Sequence, residues 1–171
     1  LNVMREVKTF GGTVMLHCES DSILKKAKAQ IDADGRTDYM CISDWRNPES
    51  EYVATIDAIS LAELTGCTVL VAHVSQPRLL DAIHAARERG VQIFAESCPQ
   101  YFFMDTNSLK EKGPFVKFTP VLRAPQVKEG MRAYLGKNMV DTIGTDHCPF
   151  PRAMKEAGME NIHDAPFGIP G

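Results

Sequence analysis

The sequence has no CxxC pair, no apolar run near the roughly 20 residues of a membrane span, and no surplus of positive charge. Each absence excludes something. The cysteines, Cys18, Cys41, Cys67, Cys98 and Cys148, number five and are widely spaced, which suggests neither a disulfide framework nor a thiolate zinc site. A reducing, cytoplasmic setting is the simplest reading of that usage. Lys and Arg total 19 against 22 Asp and Glu, a net charge of −3. That balance argues against a nucleic-acid surface built on bulk positive charge. The opening stretch LNVMREVKTF has neither the apolar core nor the cleavage pattern of a secretory signal. No internal sequence repeat and no low-complexity tract is visible.

What is present is a globular composition. The 171 residues are 44% apolar and 24% charged, enough for one domain with a sizeable core. Short, β-branched, nearly continuous apolar runs recur at residues 13–17 (TVMLH), 68–75 (TVLVAHVS), 91–97 (VQIFAES) and 139–146 (MVDTIGTD). Such runs mark strands covered on both faces, as in parallel sheets. Helical patterns lie between them. Residues 48–65 follow Asn47 as N-cap, place Pro48 at the first helical position and stop at Gly66. Residues 77–89 open on Pro77 and end at Gly90, and residues 125–135 open on Pro125 and end at Gly136. A weaker helix is expected over 20–31. Alternating strand and helix is the grammar of an α/β fold with a parallel sheet. The interval 98–124 reads as a large functional loop, because a bare loop of that length is unusual inside a compact domain. The tail, 151–171, reads as another loop.

Sites in parallel α/β folds form beyond the carboxyl ends of the strands. His17, His73 and Asp146 stand at three such ends. Imidazole and carboxylate suit zinc and similar divalent ions, and a cation there would offset the cost of a carboxylate at the end of an apolar strand. Each residue also has a plainer role. A lone strand-end histidine is more often a satisfied polar residue than a ligand, and an aspartate often caps a turn. No local ligand motif of the HExxH kind is present, so the joint position of the three carries the expectation. His84 is expected on a helix surface, His163 in a loop without a partner, and His147 turned away from Asp146. Glu19 and Glu96 stand just past strands, placed either to orient ligands or as ordinary structural carboxylates. Cys98 and Cys148 are alternative nucleophiles, with no base assigned to either.

The segments HCES (17–20), AHVS (72–75), AESCPQYFF (95–103), TPVLR (119–123), GTDHCPF (144–150) and APFGIPG (165–171), in that order, resemble the cyclic amidohydrolases: D-hydantoinases, dihydropyrimidinases, allantoinases and the related dihydroorotases. The resemblance implies a metal-dependent TIM (β/α)8 barrel, of which residues 1–171 would be the carboxyl-terminal half, approximately strands five to eight. It implies zinc, binuclear in the complete site, and His17, His73 and Asp146 are the expected metal ligands. It gives Asp146 as the catalytic acid–base beside the metal. Thr119 and Phe167 match positions whose backbone groups hold the substrate ring, where the family often has Ser and Asn.

The family's HxH pair has no counterpart here. Its bridging lysine has none either, since Lys8 stands too close to His17 and in the wrong context. The chain alone is therefore expected to bind zinc weakly and to show little or no activity, and its open sheet edges favour self-pairing. The implied reaction opens a small cyclic amide or ureide to an N-carbamoyl product in a cytoplasmic homo-oligomer, with no nucleic acid and no membrane as partner. Arg123 is a candidate cation for the substituent of allantoin or dihydroorotate, or else structural. A non-catalytic, assembly-forming relative is the other reading within the family.

Overall fold

The computed structural model describes all residues, 1–171. In chain order the elements are α1 (Asn2–Thr9), β1 (Thr13–Leu16), α2 (Asp21–Ala33), α3 (Cys41–Trp45), α4 (Pro48–Thr65), β2 (Thr68–Val71), α5 (Pro77–Glu88), β3 (Ile93–Ser97), α6 (Pro99–Phe103), α7 (Thr106–Lys112), α8 (Pro125–Gly136), β4 (Thr142–Ile143) and α9 (Arg152–Glu156). Short 3₁₀ turns occupy Gly113–Val116 and Ile162–Asp164. The four strands form one parallel sheet in the order β1-β2-β3-β4, with Thr13 opposite Thr68 and Val69 opposite Ile93. This is part of a (β/α)8 barrel: parallel strands joined by helices that cover one face of the sheet.

The helix boundaries follow local chemistry. In α4 the Asn47 side chain accepts a hydrogen bond from Ser50 N, Pro48 needs no donor at the first turn, and Gly66 closes the helix at φ 63°. The strand pattern then sorts the apolar residues. Val69, Val71, Ile93 and Ala95 turn to one face and join Ile59, Ala62, Leu79, Leu80, Ile83 and Met131 from α4, α5 and α8 in the main core. Met15, Leu70 and Phe94 form a row on the other face, where Met15 is 56% exposed.

A second core lies past the carboxyl ends of the strands. Ile42, Cys98, Tyr101, Leu109, Phe118, Leu122 and Ile162 pack there, drawn from the 98–124 interval, α3 and the tail. The interval is thus built from α6, α7 and a 3₁₀ turn, and α9 interrupts the tail. Their helices are too short to leave a 3.6-residue periodicity in the sequence. The segment 139–146, by contrast, pairs as a strand only at Thr142 and Ile143, and both are exposed. The Asp141 carboxylate takes the N–H of Ala95, and the carbonyl of Met139 takes the Nε2–H of His84, so neighbouring groups satisfy what a longer strand would have used. His84 is accordingly half-buried and bonded.

Candidate active site

The strand ends place their polar residues around one cleft of about 230 Å³, lined by His17, His73, Phe118, Thr119, Asp146, Cys148, Phe167 and Gly168. His17 follows β1 directly, His73 lies two residues past β2, and Asp146 lies three past β4. Thr119 and Phe167 come from the two long connections. His73 and Asp146 both hold left-handed backbone, at φ 42° and 52°. Neither is glycine, and such conformations cluster where surrounding structure aims a side chain for function.

His17 Nδ1 stands 2.9 Å from His73 Nε2. The other nitrogen of His17, Nε2, lies 2.8 Å from the Glu19 carboxylate. A carboxylate only accepts, so Nε2 carries the proton and Nδ1 presents a lone pair toward His73. Burial and the neighbouring His17 lower the pKa of His73, which favours the neutral ring that a metal needs. Its Nδ1 is buried without a partner. Burial alone would raise the Glu19 carboxyl, but hydrogen bonds from His17 and Thr119 and the charge of Arg46 outweigh it and hold its pKa below the ordinary value. Glu96, on β3, has a carboxyl raised by burial and by the nearby Asp146. Its head also explains Gly144, where an added Cβ would meet the Glu96 carboxyl group at 2.9 Å.

These residues fit a metal as a partial ligand set. Two imidazole nitrogens 2.9 Å apart can share one ion at bond lengths of about 2.0–2.1 Å. Nowhere do three or more His, Cys, Asp or Glu side chains gather closely enough to hold an ion by themselves. Asp146 shares the cleft with the imidazoles without joining them in such a group. A catalytic zinc site takes roughly three protein ligands and a water, so the two imidazoles alone are an incomplete set.

Other candidates separate cleanly. Arg123 is buried away from the cleft, where it donates to Glu51, Ser75 and the carbonyl of Arg46, so its role is structural. Cys98 is buried with its thiol pushed up to about 12 by desolvation. Cys148 lines the cleft, but no base is hydrogen-bonded to its sulfur. His147 lies outside the cleft lining, bonded to Gly171 N. His163 does have partners, the Arg36 carbonyl at 3.0 Å and Cys41 Sγ at 3.6 Å. Sequence reasoning missed Arg46, Lys117 and Lys155. The two lysines are buried and reach the carbonyls of Ile162, Ala165, Pro166 and Lys117, pinning the tail that carries Phe167. The carbonyls that Lys117 reaches lie 45 and 48 residues further along the chain, so neither lysine's neighbourhood marks this role.

Two facing imidazoles and a carboxylate thus share one cleft at the strand ends. The chain is 33% identical over 176 aligned residues to a D-hydantoinase of Streptomyces coelicolor, covering 100% of the chain and 38% of that protein. It is 30% identical over 155 residues to an allantoinase of Bacillus velezensis, covering 91% of the chain and 34% of the relative. The solved L-hydantoinase (dihydropyrimidinase) of Arthrobacter aurescens superposes with a TM-score of 0.96 at 29% identity, over 99% of the chain and 38% of that structure. No protein-family model matches. Hydantoinases and an allantoinase are thus homologues of this chain over nearly its whole length, and it spans little more than a third of the length of these relatives.

Proposed function

We propose that residues 1–171 form the carboxyl-terminal half of the catalytic barrel of a metal-dependent cyclic amidohydrolase, approximately its strands five to eight. The complete protein would open a hydantoin or dihydropyrimidine ring to an N-carbamoyl product. The observation that carries this reading is the shared cleft. His17, His73, Thr119, Asp146 and Phe167, spread over 150 residues of sequence, line one small cavity at the strand ends. Relatives named for hydrolysis of hydantoin and allantoin support the reaction class. A larger apolar groove beside β1, lined by Val14, Leu16, Ala54 and Leu61, is of the kind a preceding βα unit would cover.

In this reading His17 Nδ1 and His73 Nε2 hold a divalent ion, zinc by ligand chemistry, in a site that is binuclear when complete. The ion supplies Lewis acidity and makes water a nucleophile at neutral pH. This chain's own residues do the rest. Phe167 and Thr119 hold the planar ring by their backbone groups. Asp146 takes the proton of the attacking water as a new C–O bond forms at the ring carbonyl. It then delivers that proton to the ring nitrogen as the C–N bond breaks. The enzyme would be a cytoplasmic homo-oligomer acting on a small molecule.

The test is an assay of the complete, zinc-loaded protein on hydantoin and dihydrouracil, with allantoin and dihydroorotate in parallel. Turnover of the first pair is expected. Turnover only of the second pair would shift the substrate, and a folded, metal-free protein without turnover would favour the assembly-forming reading.

A further inference from the structure

The proposed function leaves Glu19 unused. Its side chain is only 1% exposed, yet it is a carboxylate. Burying a charge is costly unless it is paired and hydrogen-bonded. One oxygen, Oε2, collects three donors: His17 Nε2 at 2.8 Å, Arg46 Nη1 at 2.7 Å and Thr119 Oγ1 at 2.6 Å. The donors come from the end of β1, the connection between α3 and α4, and the segment before α8. Arg46 extends the chain of contacts, since its guanidinium lies 4.9 Å over the ring of Phe167. A single oxygen thus touches His17 and Thr119 directly and reaches Phe167 through one side chain, and all three line the cleft.

A structural ion pair would need only Arg46. The two additional donors are a candidate metal ligand and a candidate substrate contact. Resting on the proposed function, we infer that Glu19 is a positioning residue. It fixes His17 in the tautomer that turns Nδ1 toward His73, and it ties that imidazole to both substrate-holding segments. Partners of this kind behind metal-bound histidines typically change metal affinity by about 10–100-fold.

The first measurement is the ring-nitrogen NMR spectrum of the metal-free chain near neutral pH. His17 is expected as the Nε2–H tautomer. In Glu19→Gln the preference is expected to weaken toward a mixture, and Glu19→Asp is expected to restore part of it. Zinc affinity, read by chelator competition, is expected to fall roughly 10–100-fold in Glu19→Gln. Thr119→Val keeps the charge and removes one donor, so the tautomer should persist while the KM of the complete enzyme rises. If His17 is the Nδ1–H tautomer in the wild-type chain, or Glu19→Gln leaves tautomer and zinc affinity unchanged, the inference is overturned, whether or not the protein turns over substrate. A complete protein with the expected tautomer but no zinc affinity would instead overturn the metal reading.

Discussion

His17 Nδ1 and His73 Nε2 face each other at 2.9 Å, their rings edge to face with centroids 4.7 Å apart, although 56 residues separate them in sequence. Two strand ends that are neighbours in a parallel sheet bring them together. The parallel register Leu16 to Val71 sets the two histidines at the same end of the sheet. If an ion takes the place of their mutual contact, each ring becomes necessary. The isolated chain should bind zinc only weakly and show little or no turnover. His17→Ala and His73→Ala should each abolish that residual binding in a chelator titration, whereas His84→Ala should leave it unchanged. Robust hydrolysis by the isolated chain would contradict the partial-site account.

Asp146 should matter to rate more than to binding. In the complete enzyme Asp146→Asn removes the proton carrier while keeping shape. A loss of about 10²–10⁴-fold in kcat with KM little changed is expected. Steady-state kinetics on hydantoin or dihydrouracil would decide it, and a loss under tenfold would move the proton-transfer role to another group.

The buried Arg123–Glu51 pair should be a stability element. Glu51 accepts from Arg123, Ser75 and Gln76, and both charged side chains are almost wholly buried. Glu51→Ala strands a buried guanidinium and should cost about 3–5 kcal/mol in urea unfolding. Replacing the exposed Glu63, paired at the surface with Arg89, should cost less than about 1 kcal/mol.

Stability should rise with mild alkalinity. Burial pushes Lys117 and Lys155 from 10.5 down to about 8, with the neighbouring Lys155 charge adding to the effect at Lys117. Above pH 8 the unfolded chain therefore holds more protons at these lysines than the folded one, so their contribution grows with pH. Burial raises Cys18 and Cys98 from 9.0 to about 12 and Cys41 to about 11, which acts in the opposite sense once pH passes about 9. Between about pH 7 and pH 8.5 the lysines dominate, and a net gain of roughly 1 kcal/mol is expected in chemical denaturation. The double variant Lys117→Met, Lys155→Met should flatten that slope.

Much of this architecture was legible because its signals are local. Asn47, Pro48 and Gly66 bracket α4 by their own hydrogen-bonding and dihedral chemistry, and the parallel strands announced themselves as short apolar runs. The pairing of His17, His73 and Asp146 around one cleft was reachable because parallel strands share a carboxyl end. What stayed hidden depends on distant contacts. Glu19 meets Thr119 across 100 residues of sequence, and nothing in either neighbourhood marks the other. The shortness of β4 was equally invisible, since it turns on Asp141 supplying a carboxylate where a strand carbonyl would otherwise act. The two roles open to Arg123, substrate contact or structure, were indistinguishable in sequence because its buried partner, Glu51, lies 72 residues away on α4.

The most direct test is an anomalous difference map from crystals of the complete, zinc-loaded protein. A peak is predicted at about 2.0–2.1 Å from both His17 Nδ1 and His73 Nε2, with Asp146 facing the same space. A zinc peak elsewhere, or full occupancy without either imidazole bound, would contradict the account.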